Sequence, residues 1–251
     1  MDSTVATFRA SLLFMACAII DSLFLIAIGL LVGIDLVILL PCSLVLASIW
    51  ILIVYRRIDS FILKRIHAIP AKLGNYPGFQ NLAEGVCISY GFRKPALFVV
   101  EDAAPNMMMV GRSPQYSNLV VTTGLLDRVQ RPELEGLIAH ELSRSRNRIS
   151  YLEGALAILV AWPWSFIPTL VEKVSAKFID PWSIAEIDIA AVGLTRYPPG
   201  LGKALESIHS DGREPTHNPR FCRHMWINPP SEPLVVTGFS TTDRIAALAE
   251  L

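Results

Sequence analysis

Ala139-His140-Glu141-Leu142-Ser143-Arg144 decides how this chain is read. In the pattern His-Glu-x-x-His, two imidazoles four residues apart share one face of a helix and grip a zinc ion, while the Glu between them works on a metal-bound water. Here His140 and Glu141 stand in place, and Arg144 holds the position of the second imidazole. A guanidinium has no lone pair to give and is permanently cationic, so Arg144 repels a metal ion. The neighbouring residues put the motif on a helix. Pro132 fits a first turn, where its missing N–H is no loss, and Leu134, Leu137, Ile138 and Leu142 recur at helical spacing. His140 and Arg144 therefore leave the helix on one side, with Glu141 beside them.

Upstream of the motif the pattern predicts a helix over 59–73 and another over 78–90, closed by Gly91. Three short strands follow, at 96–100 after Pro95, at 107–110 between Pro105-Asn106 and Gly111, and at 119–123 before Gly124. Downstream, residues 154–170 are apolar and contain Trp162, Pro163, Trp164 and Pro168. That run falls short of the roughly 20 residues a spanning helix needs, so it reads as a re-entrant or interfacial segment, with a core helix as the alternative. Helices over 183–194 and 201–207 and a polar loop over 209–219 complete the pattern.

The N-terminal part belongs to a membrane. Two apolar runs, 11–34 and 36–55, each reach spanning length and are separated by Asp35. A cleaved signal peptide fits less well, because a second span follows at once. Arg56, Arg57, Lys64 and Arg65 come just after the second run, so the positive-inside rule places the rest of the chain, and the N-terminus with Arg9, in the cytoplasm. Asp21 is expensive at bilayer depth and reads either as a polar contact between helices or as a protonated or water-reached side chain. Composition agrees with a membrane hairpin plus one globular domain: 52% of residues are hydrophobic, 18% are charged and the mean hydropathy is +0.45. A formal net charge of zero gives no basic surface for nucleic acid. Cys17, Cys42, Cys87 and Cys222 have neither metal-type nor disulfide-framework spacing.

An ordered series of short motifs runs through the chain: Pro105-Asn106, Gly111-Arg112, Thr122-Thr123-Gly124-Leu125-Leu126, Glu133-Leu134-Glu135-Gly136, Ala139 to Ser143, Arg146-Asn147, Tyr197-Pro198-Pro199-Gly200-Leu201, His224-Met225-Trp226 and Thr242-Asp243-Arg244-Ile245. In this order they resemble the HtpX-type membrane zinc metallopeptidases, relatives of the CaaX prenyl protease. The resemblance implies an α+β fold: a zincin-like (gluzincin) domain with a small sheet and active-site helices over 58–251, preceded by a transmembrane hairpin over 1–57. It implies an integral protein of a bacterial inner membrane, a lipid bilayer and membrane or extended polypeptides as partners, and zinc as cofactor.

Carried over position by position, the resemblance makes His140 the first zinc ligand and Glu141 the general base. Arg144 takes the second ligand position. The family's third ligand is the Glu of a Glu-x-x-x-Asp pair on a later helix; matching its Asp to Asp188 puts Ile184 at that ligand position, and Ile184 has no donor atom. Glu186 lies two residues along and points away. His224 matches a group near the reacting carbonyl. Met107, Met108 and Met109 match the edge strand on which extended peptides add as an extra strand, with a plain core strand as the alternative.

One of three ligands is left, so the expectation is a pseudopeptidase without zinc, acting as a binding, adaptor or assembly subunit. The alternatives are an active zinc metalloendopeptidase of membrane-protein quality control, with Asp188, His217 or His224 as substitute ligands, and a structural subunit of a larger membrane complex. On the first reading Arg144 supplies the missing positive charge to both Glu141 and Asp188, and Ile184 fills the apolar volume beside it. His67, His209 and His217 read as surface residues, and Ser143 as a small packing residue.

Overall fold

The computed structural model describes residues 3–72, 74–180, 182–229 and 239–251. It is mostly helical with one small mixed sheet. Helices α1 (Ser3–Leu31) and α2 (Leu36–Arg65) form an antiparallel hairpin, both long and apolar enough to cross a membrane. Small residues let them approach: Ser22 Oγ donates to Ser43 O across the pair at 3.5 Å, and a Cβ added to Gly29 would fall 2.1 Å from Leu39 Cδ2. Most other side chains between residues 15 and 53 are exposed, as lipid-facing positions are. The ends nearest the domain are different. Ala6, Ala10, Leu13 and Phe14 of α1 and Ile58, Ile62 and Leu63 of α2 are buried in the domain's core. The second helix thus ends at Arg65, and the helix expected over 59–73 is its continuation; Leu73 lies outside the described residues.

The remaining elements are β1 (Ile69–Pro70), α3 (Pro77–Tyr90), β2 (Ala96–Val100), β3 (Met107–Ser113), β4 (Tyr116–Thr122), α4 (Thr123–Leu126), α5 (Arg131–Arg146), α6 (Ile149–Leu156), α7 (Pro168–Phe178), α8 (Ser183–Thr195), α9 (Pro198–Asp211) and α10 (Thr241–Ala249). All three expected strands form, and Gly91 closes α3 with the left-handed φ of 70° that only glycine adopts freely. The sheet order is β1-β2-β4-β3: β2 and β4 run parallel, and β3 and β4 make an antiparallel pair.

Both faces of this sheet are covered, which explains why Met107–Val110 is an unbroken apolar run and not an alternating one. Met108, Val110 and Val120 face a core built from α1, α2, α6 and Phe221–Trp226. Met107, Met109, Leu119 and Val121 face a second core with α3, α5 and α9. Close packing also explains a motif glycine: a Cβ on Gly124 would sit 2.1 Å from the backbone oxygen of Ala103.

The segment over 154–170 divides in two. Residues 154–161 continue α6 through a π-helical turn (Ala157–Ala161) and lie almost wholly in the core, as the core-helix alternative has it. Their apolar character is used against α1 and α2 instead of a bilayer. Residues 162–170, with Trp162, Trp164, Phe166, Ile167 and Leu170, are left exposed apart from half-buried Ser165.

Candidate active site

A capping box opens α5, with the Gln130 N–H donating to Glu133 Oε2 at 2.7 Å. His140, Glu141 and Arg144 emerge from the middle and end of that helix, all completely buried. Between α5 and α6 the chain turns back sharply through Arg148, which takes a left-handed φ of 57°. That turn lays Glu153 of α6 against Arg144. From the other side α8 brings Asp188 and α10 brings Arg244, both buried.

The guanidinium of Arg144 fills the centre. Its Nη1 donates to Glu141 Oε1 and Oε2 at 3.0 and 3.2 Å and to the Met225 carbonyl at 3.0 Å, while Nη2 donates to Glu153 Oε2. The pairing with Glu141 is as expected from the sequence, but the second carboxylate is Glu153, not Asp188. Asp188 is held by Arg244, whose Nε and Nη2 make a two-pronged contact with Oδ2 and Oδ1 at 2.8 and 2.9 Å. Arg244 also donates through Nη1 to the Ile227 carbonyl at 2.7 Å. Three buried carboxylates therefore share two guanidiniums.

His140 lies between the two groups. Its Nδ1 is 3.3 Å from Glu141 Oε1, and its Nε2 is 3.2 Å from Arg244 Nη2 and 3.3 Å from Asp188 Oδ1. The tautomer protonated at Nδ1 gives both neighbours a partner: Nδ1–H donates to Glu141, and the Nε2 lone pair accepts from Arg244. Burial alone pushes the Glu141 carboxyl up, but Arg144 and His140 outweigh it, and the net shift is downward. The same competition at Asp188 is won decisively by Arg244, which holds that carboxyl far below the usual range. At Glu153 burial wins over Arg144, and its carboxyl lies above the ordinary value.

His224 sits under Glu153, donating from Nε2 to its backbone oxygen at 3.2 Å, and its Nδ1 has no hydrogen-bond partner among the described residues. Burial and the Arg144 charge push it down to about 3. It supports Glu153 and does not face an open cleft. Ile184 is half-buried on α8 and belongs to neither hydrophobic core. His217 is exposed, its ring stacked on His67 at 3.7 Å, away from this cluster.

The expected peptide-binding edge is also altered. β3 is the outer strand, but the chain itself covers it: the Ile227 N–H donates to the Met107 carbonyl at 2.8 Å, and Met108 pairs with Trp226 in antiparallel fashion. Met107, Met108 and Met109 are fully buried.

Chemically, the donor set does not fit zinc. His140 Nε2 has the Arg244 guanidinium 3.2 Å away, position 144 is a cation, and position 184 has no donor. Among the described residues, no group of three or more His, Cys, Asp or Glu side chains is placed to hold a metal ion. Glu141, pulled down by Arg144, is also a weaker base than a free carboxylate. Sequence reasoning missed Glu153 and Arg244. Glu153 had a signal, as the one acid in the apolar stretch 149–161; Arg244 had only its place in the closing Thr242–Ile245 motif, 104 residues from His140.

Two helices long and apolar enough to cross a membrane run into a domain built around a helix with a metallopeptidase-like motif. Residues 78–174 match peptidase family M48, whose metallopeptidases use zinc. Three proteins called Protease HtpX homolog are similar to the chain: one from Thermoanaerobacter pseudethanolicus, 29% identical over 259 positions that cover 87% of this chain and 86% of that one; one from Dictyoglomus turgidum, 31% identical, covering 53% and 54%; and one from Dictyoglomus thermophilum, 32% identical, covering 61% of each. Against the two Dictyoglomus proteins the chain spans about half to three-fifths of their length. No solved structure matches it. The chain is thus similar to HtpX-type proteins, and its residues 78–174 carry the match to peptidase family M48.

Proposed function

We propose that this protein is an HtpX-like pseudopeptidase: a zincin-like domain over 58–251, on the cytoplasmic side of the membrane, that holds no zinc and serves as a binding, adaptor or assembly subunit among membrane proteins. The observation that carries the reading is the pair of guanidiniums against the motif residues, one from the motif itself and one from α10. Arg144 neutralises the family's base, and Arg244 lies 3.2 Å from Nε2 of the single remaining ligand. An unfilled metal site would leave Glu141 and Asp188 buried without countercharge, at several kcal/mol each. Two arginines supply that charge from within the chain.

The test is the metal content of the protein purified in mild detergent, by plasma mass spectrometry, beside the double variant Arg144→His, Ile184→Glu. The unmodified protein is expected to carry no stoichiometric zinc, and the double variant to gain it. One zinc per chain in the unmodified protein sinks the proposal. The retention of His140, Glu141 and Asp188 within contact of one another favours a second reading, an active endopeptidase with a rearranged site. Chelator-sensitive cleavage of casein by the unmodified protein, lost in Glu141→Gln, would establish it.

A further inference from the structure

The exposed apolar surface of the hairpin continues past the point where the two helices meet the domain. On α1 the stripe Val5, Phe8, Leu12, Met15 and Ile19 recurs at helical spacing, and every member is exposed. Exposed apolar side chains therefore extend from Val5 to Leu31, about 40 Å, which exceeds the hydrocarbon layer and approaches the whole bilayer with its headgroups. Phe14 of α1 packs on Tyr55 of α2, ring centroids 6.1 Å apart. In the antiparallel pair, Phe8 thus stands level with Phe61, about 9 Å beyond Tyr55. The segment after the π-helical turn lies at that same level. Trp162 meets Phe61 edge-on, ring centroids 5.1 Å apart, and at the far end Arg9 Nη1 donates to the Phe178 carbonyl at 2.7 Å. Phe61 and Arg9 differ in level by about one residue, so the chain from Trp162 to Phe178 starts and finishes at one height and runs across the hairpin. Inward, α7 buries Val171 and Ser175 and packs Val174 and Phe178 against the core. Outward it presents Leu170, Lys173 and Lys177 on one face, preceded by exposed Trp164, Phe166 and Ile167; Glu172 is the one acid exposed beside them.

We propose that residues 162–178 are an interfacial foot for anionic phospholipid: the segment lies in the headgroup layer beside the hairpin, with Trp164, Phe166, Ile167 and Leu170 immersed toward the acyl chains and Lys173 and Lys177 reaching lipid phosphates. Large apolar side chains followed by lysines on a short amphipathic helix are what a bilayer surface holds, the rings at the boundary and the ammonium groups snorkelling outward. The level decides in favour of lipid. An apolar patch beside α1 side chains that are themselves lipid-facing continues an existing membrane contact, whereas the same patch on the far face of the domain would meet water. The interfacial expectation for residues 154–170 thereby narrows to its second half, extends through α7 and gains a headgroup chemistry. It is independent of whether the chain holds zinc.

The experiment is spin-label accessibility in the full-length protein reconstituted into vesicles. Cys17→Ala and Cys42→Ala clear the hairpin of cysteine, and Cys87 and Cys222 are buried beyond the label's reach. A nitroxide at Phe166→Cys is compared with one at Ile88→Cys, which is exposed on α3, across the sheet from the core that the hairpin joins. Oxygen concentrates among acyl chains and a polar nickel chelate stays in water. In phosphatidylglycerol vesicles the oxygen-to-nickel collision ratio is expected to be about tenfold higher at position 166 than at position 88. In phosphatidylcholine the difference is expected to shrink, and the pair Lys173→Gln, Lys177→Gln is expected to remove this dependence on lipid charge. Equal ratios at 166 and 88 overturn the proposal. A high ratio at 166 that ignores both lipid charge and the lysines overturns the anionic assignment. Spectral broadening at 166 that vanishes on dilution with unlabelled protein would mean that a second copy of the chain covers the face, and overturns it too. Phe166 is 72% exposed, so its replacement is expected to leave the fold intact; Trp164→Cys supplies the reading if it does not.

Discussion

Replacing Arg144 by Met tests whether its guanidinium is the keystone of the buried cluster. The substitution keeps much of the aliphatic bulk but removes the Nη1 bonds to Glu141 at 3.0 and 3.2 Å, the 3.0 Å bond to Met225 O and the contact with Glu153. Breaking one buried ion pair from one side costs about 3–5 kcal/mol. Here two carboxylates lose their guanidinium, Glu141 keeps only the 3.3 Å contact with His140, and protonation of Glu153, already shifted upward, relieves part of the second penalty. A loss of about 3–5 kcal/mol is therefore expected, which for a domain of this size lowers the midpoint of thermal unfolding by roughly 6–20 °C. Circular dichroism in detergent at one fixed scan rate measures it, since unfolding of a membrane protein is read as an apparent midpoint. The control is the triple variant Arg144→Met, Glu141→Gln, Glu153→Gln. Removing the whole charged group is commonly neutral, so the triple variant should recover most of the loss. A single variant that melts with the unmodified protein would refute the argument, as would a triple variant that melts no higher than the single one.

Other outcomes follow from the same geometry. Arg244→Met strips Asp188 of both its guanidinium contacts and Ile227 O of its donor, and is expected to cost about 3–5 kcal/mol, again rescued in part by Asp188→Asn. For His224, the unfolded chain takes a proton below 6.5 and the folded chain only near 3, so the unfolded state holds more protons in that window. Its contribution is complete above pH 6.5 and is lost as pH falls, by about 1.4 kcal/mol at pH 5.5; paired melts at pH 7.5 and 5.5 should show that loss shrinking in His224→Gln. Gly124→Ala drives a methyl into the backbone of Ala103 and should cost about 1–3 kcal/mol by the same melting assay, whereas Gly85→Ala, where a Cβ meets nothing within 4 Å, should not destabilise.

The secondary structure was legible because its signals are local. Pro132 and the leucine spacing placed α5, Gly91 closed α3, and the apolar runs placed both membrane helices. What escaped the sequence depends on contacts between distant segments. Nothing near Arg244 reveals that α10 will fold over α8, and nothing near Ile227 reveals that it will close the edge of β3. The assignment of Arg144 to both Glu141 and Asp188 failed for a geometric reason. Arg144 is three residues after Glu141, so it reaches that side chain within its own helix, but its other nitrogen is drawn toward Glu153, which the tight turn at Arg148 brings closer than α8 brings Asp188.

The helix that leaves the membrane does not end in a tether. From Leu36 to Arg65 it is one rod, and its last turns lie in the same core as Trp226 and Met108. The domain therefore has no swivel: its standoff from the lipid and its azimuth about the rod are set by helical register, at about 1.5 Å and 100° per residue. Inserting one alanine after Tyr55 would put the last turns of α2 about 100° out of register with the core they share with Ala10, Leu13 and Phe14 of α1, while inserting four would nearly restore the bearing but shift it by about one turn. Any neighbour that recognises this protein within the membrane plane meets a surface presented at one height and in one direction.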